Sequence, residues 1–282
     1  MAFTFANVLG RSTLVDENYF FDLASISKGS VSADPMEALA EPEALDRLSA
    51  NLKNFTASGI LNEVDLEAPV PRPSNSFGIG LNYQTHVDEA AMATPDVPMV
   101  FAKLPSCITG PRSDVMMRSD ECDYEGELVV VIGSSGKDIP EETAWEHVLG
   151  LSVGQDFSDR GAQFMSNPAQ FTLGKSIDSF GPTGPVLVST DSFKDPTDLE
   201  LQTWVNGELR QHDRTSSLIF SIPKLISFLS RFVTLCVGDL IFTGTPEGVG
   251  FRNNIFLKDG DVVRTSVEGI GTLENRCVRL PD

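Results

Sequence analysis

Residues 123–133, Asp-Tyr-Glu-Gly-Glu-Leu-Val-Val-Val-Ile-Gly, set three carboxylates at alternate positions ahead of an apolar run. In an extended chain alternate side chains share a face, so Asp123, Glu125 and Glu127 are expected on the side of Val129 and Val131. The run Leu128–Ile132 belongs in a sheet buried on both sides, where carboxylates are costly unless something compensates them. Solvent at an exposed strand edge, basic partners or a metal could each do so. Two residues of strand span about 6.6–7 Å, close enough for Glu125 and Glu127 to converge on one cation. A hard divalent ion such as Mg²⁺ takes oxygen ligands, and Asp156, at the end of a strand read over residues 148–155, is the third donor in reach.

Three further groups have reactive spacing. Thr85-His-Val-Asp-Glu can open a helix with Thr85 as N-cap and Asp88 three positions on, which sets His86 and Glu89 one turn apart. Glu89 can then orient the imidazole and raise its basicity, making His86 a general base for water; the plain alternative is a structural histidine. In Asp156-Phe-Ser-Asp-Arg-Gly-Ala-Gln a helical turn would point Arg160 and Gln163 the same way as Asp156. Arg160 offers a planar fork for a substrate carboxylate and Gln163 an amide for a keto or enol oxygen, unless the segment is only a salt-bridged helix surface. Gly244-Thr-Pro-Glu-Gly-Val-Gly lacks the G-x-x-x-x-G-K-[ST] pattern, which excludes a phosphate loop.

The elements that must carry these groups are mostly strands. Around Gly10 and Asp16-Glu17-Asn18, residues 8–23 read as strand, turn and strand, a small antiparallel unit. Between Asp34 and Phe55, Met36, Leu39, Leu45, Leu48 and Leu52 recur at helical spacing interrupted near Pro42, giving one or two short helices. Pro69, Pro71 and Pro73 mark a linker, so a small α/β domain is expected over residues 1–70 and a larger one over 71–282. In the larger domain, apolar or alternating runs at 127–132, 148–153, 185–189, 201–205, 238–243, 261–267 and 272–278 predict a β-rich α+β unit. Residues 222–232, preceded by Ser221 and with Pro223 in the first turn, predict its best helix.

Composition narrows the partners. Twenty-one basic against 40 acidic residues give a net charge of −19, which repels phosphate backbones and anionic membranes and argues against nucleic acid. No apolar stretch reaches the roughly 20 residues of a membrane helix, and the start lacks a basic signal-peptide region, so a cytoplasmic protein is expected. Cys107, Cys122, Cys236 and Cys277 are scattered without a C-x-x-C pair and read as buried or free thiols.

Six segments in order resemble the fumarylacetoacetate hydrolase family, from about Phe77 to Val278. They are Gly78-Ile-Gly-Leu-Asn-Tyr-Gln-Thr-His, Phe101-Ala-Lys-Leu-Pro-Ser, Asp123-Tyr-Glu-Gly-Glu-Leu, Gly154-Gln-Asp-Phe-Ser-Asp-Arg, Gly174-Lys-Ser-Ile-Asp-Ser-Phe-Gly-Pro-Thr-Gly-Pro and Gly238-Asp-Leu-Ile-Phe-Thr-Gly-Thr-Pro-Glu-Gly-Val-Gly. The resemblance implies a catalytic domain of rolled mixed sheets with short helices. It places the family's E-x-E…D triad on Glu125, Glu127 and Asp156, holding Mg²⁺ or, in its stead, Mn²⁺ or Ca²⁺. It also places the His…Glu dyad on His86 and Glu89 in a lid segment, an enolate-stabilising cation on Lys175, and substrate contacts on Thr245 and Tyr83. The implied activity is hydrolysis of a C–C bond in an acylpyruvate or fumarylpyruvate-type keto acid, a small anionic substrate. Oxaloacetate decarboxylation, isomerisation or hydration of an unsaturated keto acid, and a metal-binding protein without turnover are the alternatives. A homodimer is implied too, in keeping with the generous apolar content, including 18 Phe.

Overall fold

The computed structural model describes residues 2–89 and 93–281. Its N-terminal runs form an antiparallel meander of β1 (Thr4–Val8), β2 (Arg11–Asp16) and β3 (Tyr19–Asp22). Leu9 and Gly10 both have positive φ, as a two-residue turn twisted to match its strands requires. The helical spacing after Asp34 resolves into two short helices, Pro35–Leu39 and α1 (Pro42–Ser49), each with proline at its start, where a missing N–H costs nothing.

The larger part supplies β4 (Ser76–Gly80), β5 (Met99–Ala102), β6 (Gly126–Ile132), β7 (Val148–Gln155), β8 (Gly181–Val188), β9 (Glu200–Val205), β10 (Glu208–Arg214), β11 (Leu240–Phe242), β12 (Val262–Val267) and β13 (Gly271–Arg279). Its helices are short: α2 (Gln84–Glu89), α3 (Arg160–Phe164), α4 (Phe171–Gly174) and α5 (Ile222–Ser230). The fold is α+β and rich in sheet, as expected. The main sheet runs β3-β2-β1-β8-β7-β6-β11-β4-β5, all neighbours antiparallel except β11 with β4. The first strands thus continue the main sheet of the larger part through the pairing of β1 with β8. A second sheet, β10-β9-β12-β13, ends on Val115–Met117.

Strand β6 lies in the middle and is buried along its whole length. Leu128, Val130 and Ile132 pack with Leu201, Val267 and Leu273 of the second sheet and with Leu225 and Leu229 of α5. Val129 and Val131 pack on the opposite face with Phe5, Leu14 and Leu45 of the N-terminal part. Both faces are covered, so an unbroken apolar run is what this position demands. Helix α5 starts as the sequence predicts, with the Ser221 side chain accepting the Lys224 N–H.

Strands β4, β5 and β10 were not anticipated from alternation. Ser76-Phe-Gly-Ile-Gly reads as a loop, yet its glycines are there for the neighbouring strand: a Cβ on Gly78 would sit 2.2 Å from the Phe101 ring, and one on Gly80 2.2 Å from the Met99 methyl. β10 is polar because most of it faces solvent. Among the described residues no helix is long and apolar enough to cross a membrane.

Candidate active site

The three carboxylates of residues 123–127 do not follow one straight strand. Cys122 and Asp123 pair with Ser158 and Asp159 in a separate ribbon, and regular β6 pairing begins only at Gly126. Between them the chain is held by side chains: the Glu125 N–H donates to Gln155 Oε1 and the Gly126 N–H to Gln211 Oε1, both at 2.9 Å. The Asp156 N–H donates to the Glu125 carbonyl at 2.8 Å. This break draws Glu125, Glu127 and Asp156 together, all buried, with ligand oxygens within 4.8 Å of one another. Asp123 turns elsewhere, accepting from the Gly250 N–H (2.7 Å), the Phe251 N–H (3.0 Å) and the Arg160 guanidinium (2.7 and 3.0 Å).

Basic partners are present as well, delivered singly from distant segments. Lys175 Nζ bridges Glu125 Oε2 (2.7 Å) and Asp156 Oδ2 (2.6 Å). Arg160 donates to Glu125 Oε1 at 2.6 Å and to Gln163 Oε1 at 2.9 Å. Lys103, completely buried, donates to Asp156 Oδ1 (2.6 Å) and to the carbonyls of Lys175 (2.6 Å) and Phe180 (3.1 Å), which occupies all three ammonium protons. Sequence reasoning passed over Lys103, although alternation beyond β5 places it on the same inward face as Phe101. Burial works against the charged ammonium, but Asp156 above all holds its pKa above the usual value.

Charge is unevenly balanced across the triad. Burial disfavours ionised Glu125, yet Lys175 and Arg160 more than offset this and hold its pKa below the normal range. Glu127 accepts from the Gly244 N–H at 2.8 Å, and burial with the adjacent Asp156 and Glu125 pushes its pKa well above that range. A donor set of three carboxylates suits a hard divalent cation, which would relieve that repulsion, so the residues fit such an ion.

Beside the triad lies a cavity of about 320 Å³ lined by His86, Glu125, Arg160, Gln163, Lys175, Thr245 and Arg252 together with apolar side chains. His86 sits in α2 with Nδ1 3.5 Å from Glu89 Oε2, a long contact, and Glu89 in turn accepts from the Gly248 N–H at 3.2 Å. Helix α2 begins at Gln84, so Thr85 lies inside its first turn and is not the N-cap; its hydroxyl donates to Asp213 at 3.3 Å. Thr245 donates to the Gly126 carbonyl at 2.9 Å and accepts from Gln211 Nε2 at 2.7 Å. Tyr83 departs from expectation. It is fully buried immediately before α2 and is not among the residues lining the cavity, its hydroxyl has no hydrogen-bond partner among the described residues, and burial with nearby Asp213 and Glu127 pushes its pKa far up.

Comparison with known proteins gives the same picture. The chain is 46% identical over 225 residues to the oxaloacetate tautomerase YisK of Bacillus subtilis, covering 77% of this chain and 74% of that protein. A putative HpcE protein from Mycobacterium smegmatis superposes with a TM-score of 0.92 at 40% identity, covering 99% of this chain and all of the other. Maleylpyruvate hydrolase from Sphingobium sp. SYK-6, solved in complex with manganese(II) ion and pyruvate, superposes with a TM-score of 0.83 at 28% identity over 99% of this chain and all of that one. Residues 75–278 match the family described as Fumarylacetoacetate (FAA) hydrolase C-terminal, a span that holds the whole carboxylate triad, its cations and the His86–Glu89 pair. With the sheet order, the buried E-x-E and the paired histidine in place, the chain belongs to the fumarylacetoacetate hydrolase family.

Proposed function

We propose that this protein carries out metal-dependent enolate chemistry on 2-keto acids, with keto–enol tautomerisation of oxaloacetate as its reaction. The observation that carries this reading is the shared cavity, where His86 and Lys175 face the same space as Glu125 of the carboxylate triad. Glu125, Glu127 and Asp156 would hold a divalent cation, Mg²⁺ or Mn²⁺, which when bound supplies Lewis-acid polarisation of keto and carboxylate oxygens. With Nδ1 turned to Glu89, Nε2 is the nitrogen left to move the proton: from the enol oxygen to the neighbouring carbon in the direction that forms the keto acid, and from that carbon to the oxygen in the reverse direction. Lys175 places positive charge beside the oxygen on which the enolate charge develops. Gln163, pinned by Arg160, and Thr245 orient the acid. The 46% identity to an oxaloacetate tautomerase favours this reaction.

Hydrolysis of an acylpyruvate is the second reading, favoured by the intact His86–Glu89 pair and by the likeness to a maleylpyruvate hydrolase. There Nε2 deprotonates water, which attacks the distal carbonyl; the C–C bond breaks and the keto-acid enolate leaves beside Lys175. The two readings separate in one panel: enol-oxaloacetate, oxaloacetate, acetylpyruvate and fumarylpyruvate with Mg²⁺, following enol absorbance, CO₂ and released carboxylic acid. Loss of enol-oxaloacetate absorbance without CO₂ or acid is the expected result. Turnover should cease in excess chelator and return with Mg²⁺. His86→Ala should lower kcat by roughly 10²–10⁴ while calorimetric metal affinity stays at the wild-type value. CO₂ release from oxaloacetate would assign decarboxylation instead, and turnover undiminished in chelator would remove the metal from the reaction.

A further inference from the structure

Three cationic side chains of the described chain line the cavity: Arg160, Lys175 and Arg252. Two of them are already engaged. Lys175 bridges Glu125 and Asp156, and Arg160 is divided among Asp123, Glu125 and Gln163, each within 3.0 Å. Arg252 differs: among the described residues its guanidinium has no carboxylate within ion-pair distance, and its recorded contact is with the Phe251 ring, 5.9 Å from the centroid. It stands exposed at the edge of the cavity beside Phe164 and Phe251, whose rings stack at 5.1 Å.

Its position is not left to a free loop. Arg252 belongs to the short turn of helix Gly250–Asn253, whose first two N–H groups donate to Asp123, the carboxylate that also fixes Arg160. One buried aspartate therefore sets both the guanidinium that abuts the triad and the backbone that carries the guanidinium at the rim. Gly250 allows the close approach, since a Cβ there would lie 2.0 Å from the Ile255 carbonyl oxygen and 2.8 Å from Asp123. Phe251 lies within 5.6 Å of the Arg160 guanidinium carbon, so an aromatic wall joins the two cationic ends of the cavity.

We infer that Arg252 is a specificity-determining residue that binds the second, distal carboxylate of a dicarboxylic 2-keto acid whose keto-acid end sits against the Glu125, Glu127 and Asp156 cluster. The inference rests on the keto-acid reading above and adds which residue distinguishes a diacid from a monoacid. An uncommitted guanidinium at the rim gains a charge-assisted, bidentate partner from a terminal carboxylate and nothing from a terminal methyl. Arg160, four of whose five N–H groups donate to Asp123, Glu125 and Gln163, then holds Glu125 and Gln163 in place and leaves distal recognition to Arg252.

The test uses keto acids that neither decarboxylate nor hydrolyse at this site, matched in length, with binding measured by calorimetry with Mg²⁺ present: 2-oxoglutarate against 2-oxopentanoate, and 2-oxoadipate against 2-oxohexanoate. In the wild type the diacid of at least one pair should bind about tenfold more tightly than its monoacid, the yield expected of one charge-assisted contact. Arg252→Gln should raise the diacid Kd to that of the monoacid, and Arg252→Lys should restore part of the difference. A role confined to packing would weaken diacid and monoacid equally. Equal binding within both pairs by the wild type, or a diacid preference that survives in Arg252→Gln, would overturn the subsite and leave the keto-acid reading standing. Binding of none of the four acids by the wild type would overturn that reading and the subsite with it.

Discussion

Lys103 shows how much of the site's charge balance lies outside the carboxylate motif. Its ammonium shares the buried Asp156 with Lys175, so Lys103→Met should strip that carboxylate of one of its two cations and cost roughly 3–5 kcal/mol, read as a lower denaturant midpoint. Saturating Mg²⁺ should recover part of the loss, because a cation bound by Asp156 replaces the missing charge; equal losses with and without Mg²⁺ would detach Lys103 from the metal site. Glu127 has the opposite sign. Its carboxylate faces two like charges, so Glu127→Gln should leave the metal-free protein at least as stable as the wild type while abolishing the rise in Tm on adding Mg²⁺. The amide oxygen of glutamine can still accept the Gly244 N–H, which keeps the test clean of a lost hydrogen bond. A markedly lower Tm for metal-free Glu127→Gln would contradict the repulsion argued here.

Elements built on local rules were readable from the order of residues, and those built on cross-strand space were not. The strand at residues 126–132, helix α5 with its Ser221 cap and the two proline-led helices after Asp34 all follow from periodicity and capping chemistry. β4 was missed because its glycines make room for Phe101 and Met99, residues more than 15 positions away. Asp22 illustrates the local kind with a pH signature. It caps the short helix Leu23–Ile26 by accepting the Ser25 N–H at 2.8 Å and pairs with Arg11 Nε at 2.6 Å. Partial burial opposes its charge, but Arg11 and the Ser25 N–H outweigh that and lower its pKa. A depressed pKa gives stability that is present above the unfolded value near 4 and is lost as pH falls through the folded one. Asp22→Ala should therefore cost about 1–2 kcal/mol at pH 7, with the gap to the wild type narrowing below about pH 4. A gap constant from pH 7 to pH 3 in urea unfolding would show that the charge of Asp22 is not what stabilises this end of the meander.

At the level of the assembly, the family resemblance implies a homodimer, for which light scattering at micromolar concentration should read twice 30.6 kDa; a 30.6 kDa species alone would count against it. Within one chain, hydrophobic periodicity and residue type were enough to recognise a doubly buried strand headed by carboxylates and a histidine one helical turn from a glutamate, because these are properties of neighbours along the chain. The convergence of Glu125 and Glu127 with Asp156 was legible too, since one pair lies two residues apart and the third residue ends the adjacent strand. The distribution of cations was not. Lys103 meets Asp156 across 53 residues, and Asp123 meets the turn that carries Arg252 across 127. Such pairings depend on separation in space and on the exclusion of water, which set the strength of a charge interaction and have no counterpart in spacing along the sequence. That is why the sequence pointed Arg160 at the substrate, while the folded chain surrounds it with its own acceptors and leaves Arg252 at the cavity rim without a carboxylate partner among the described residues.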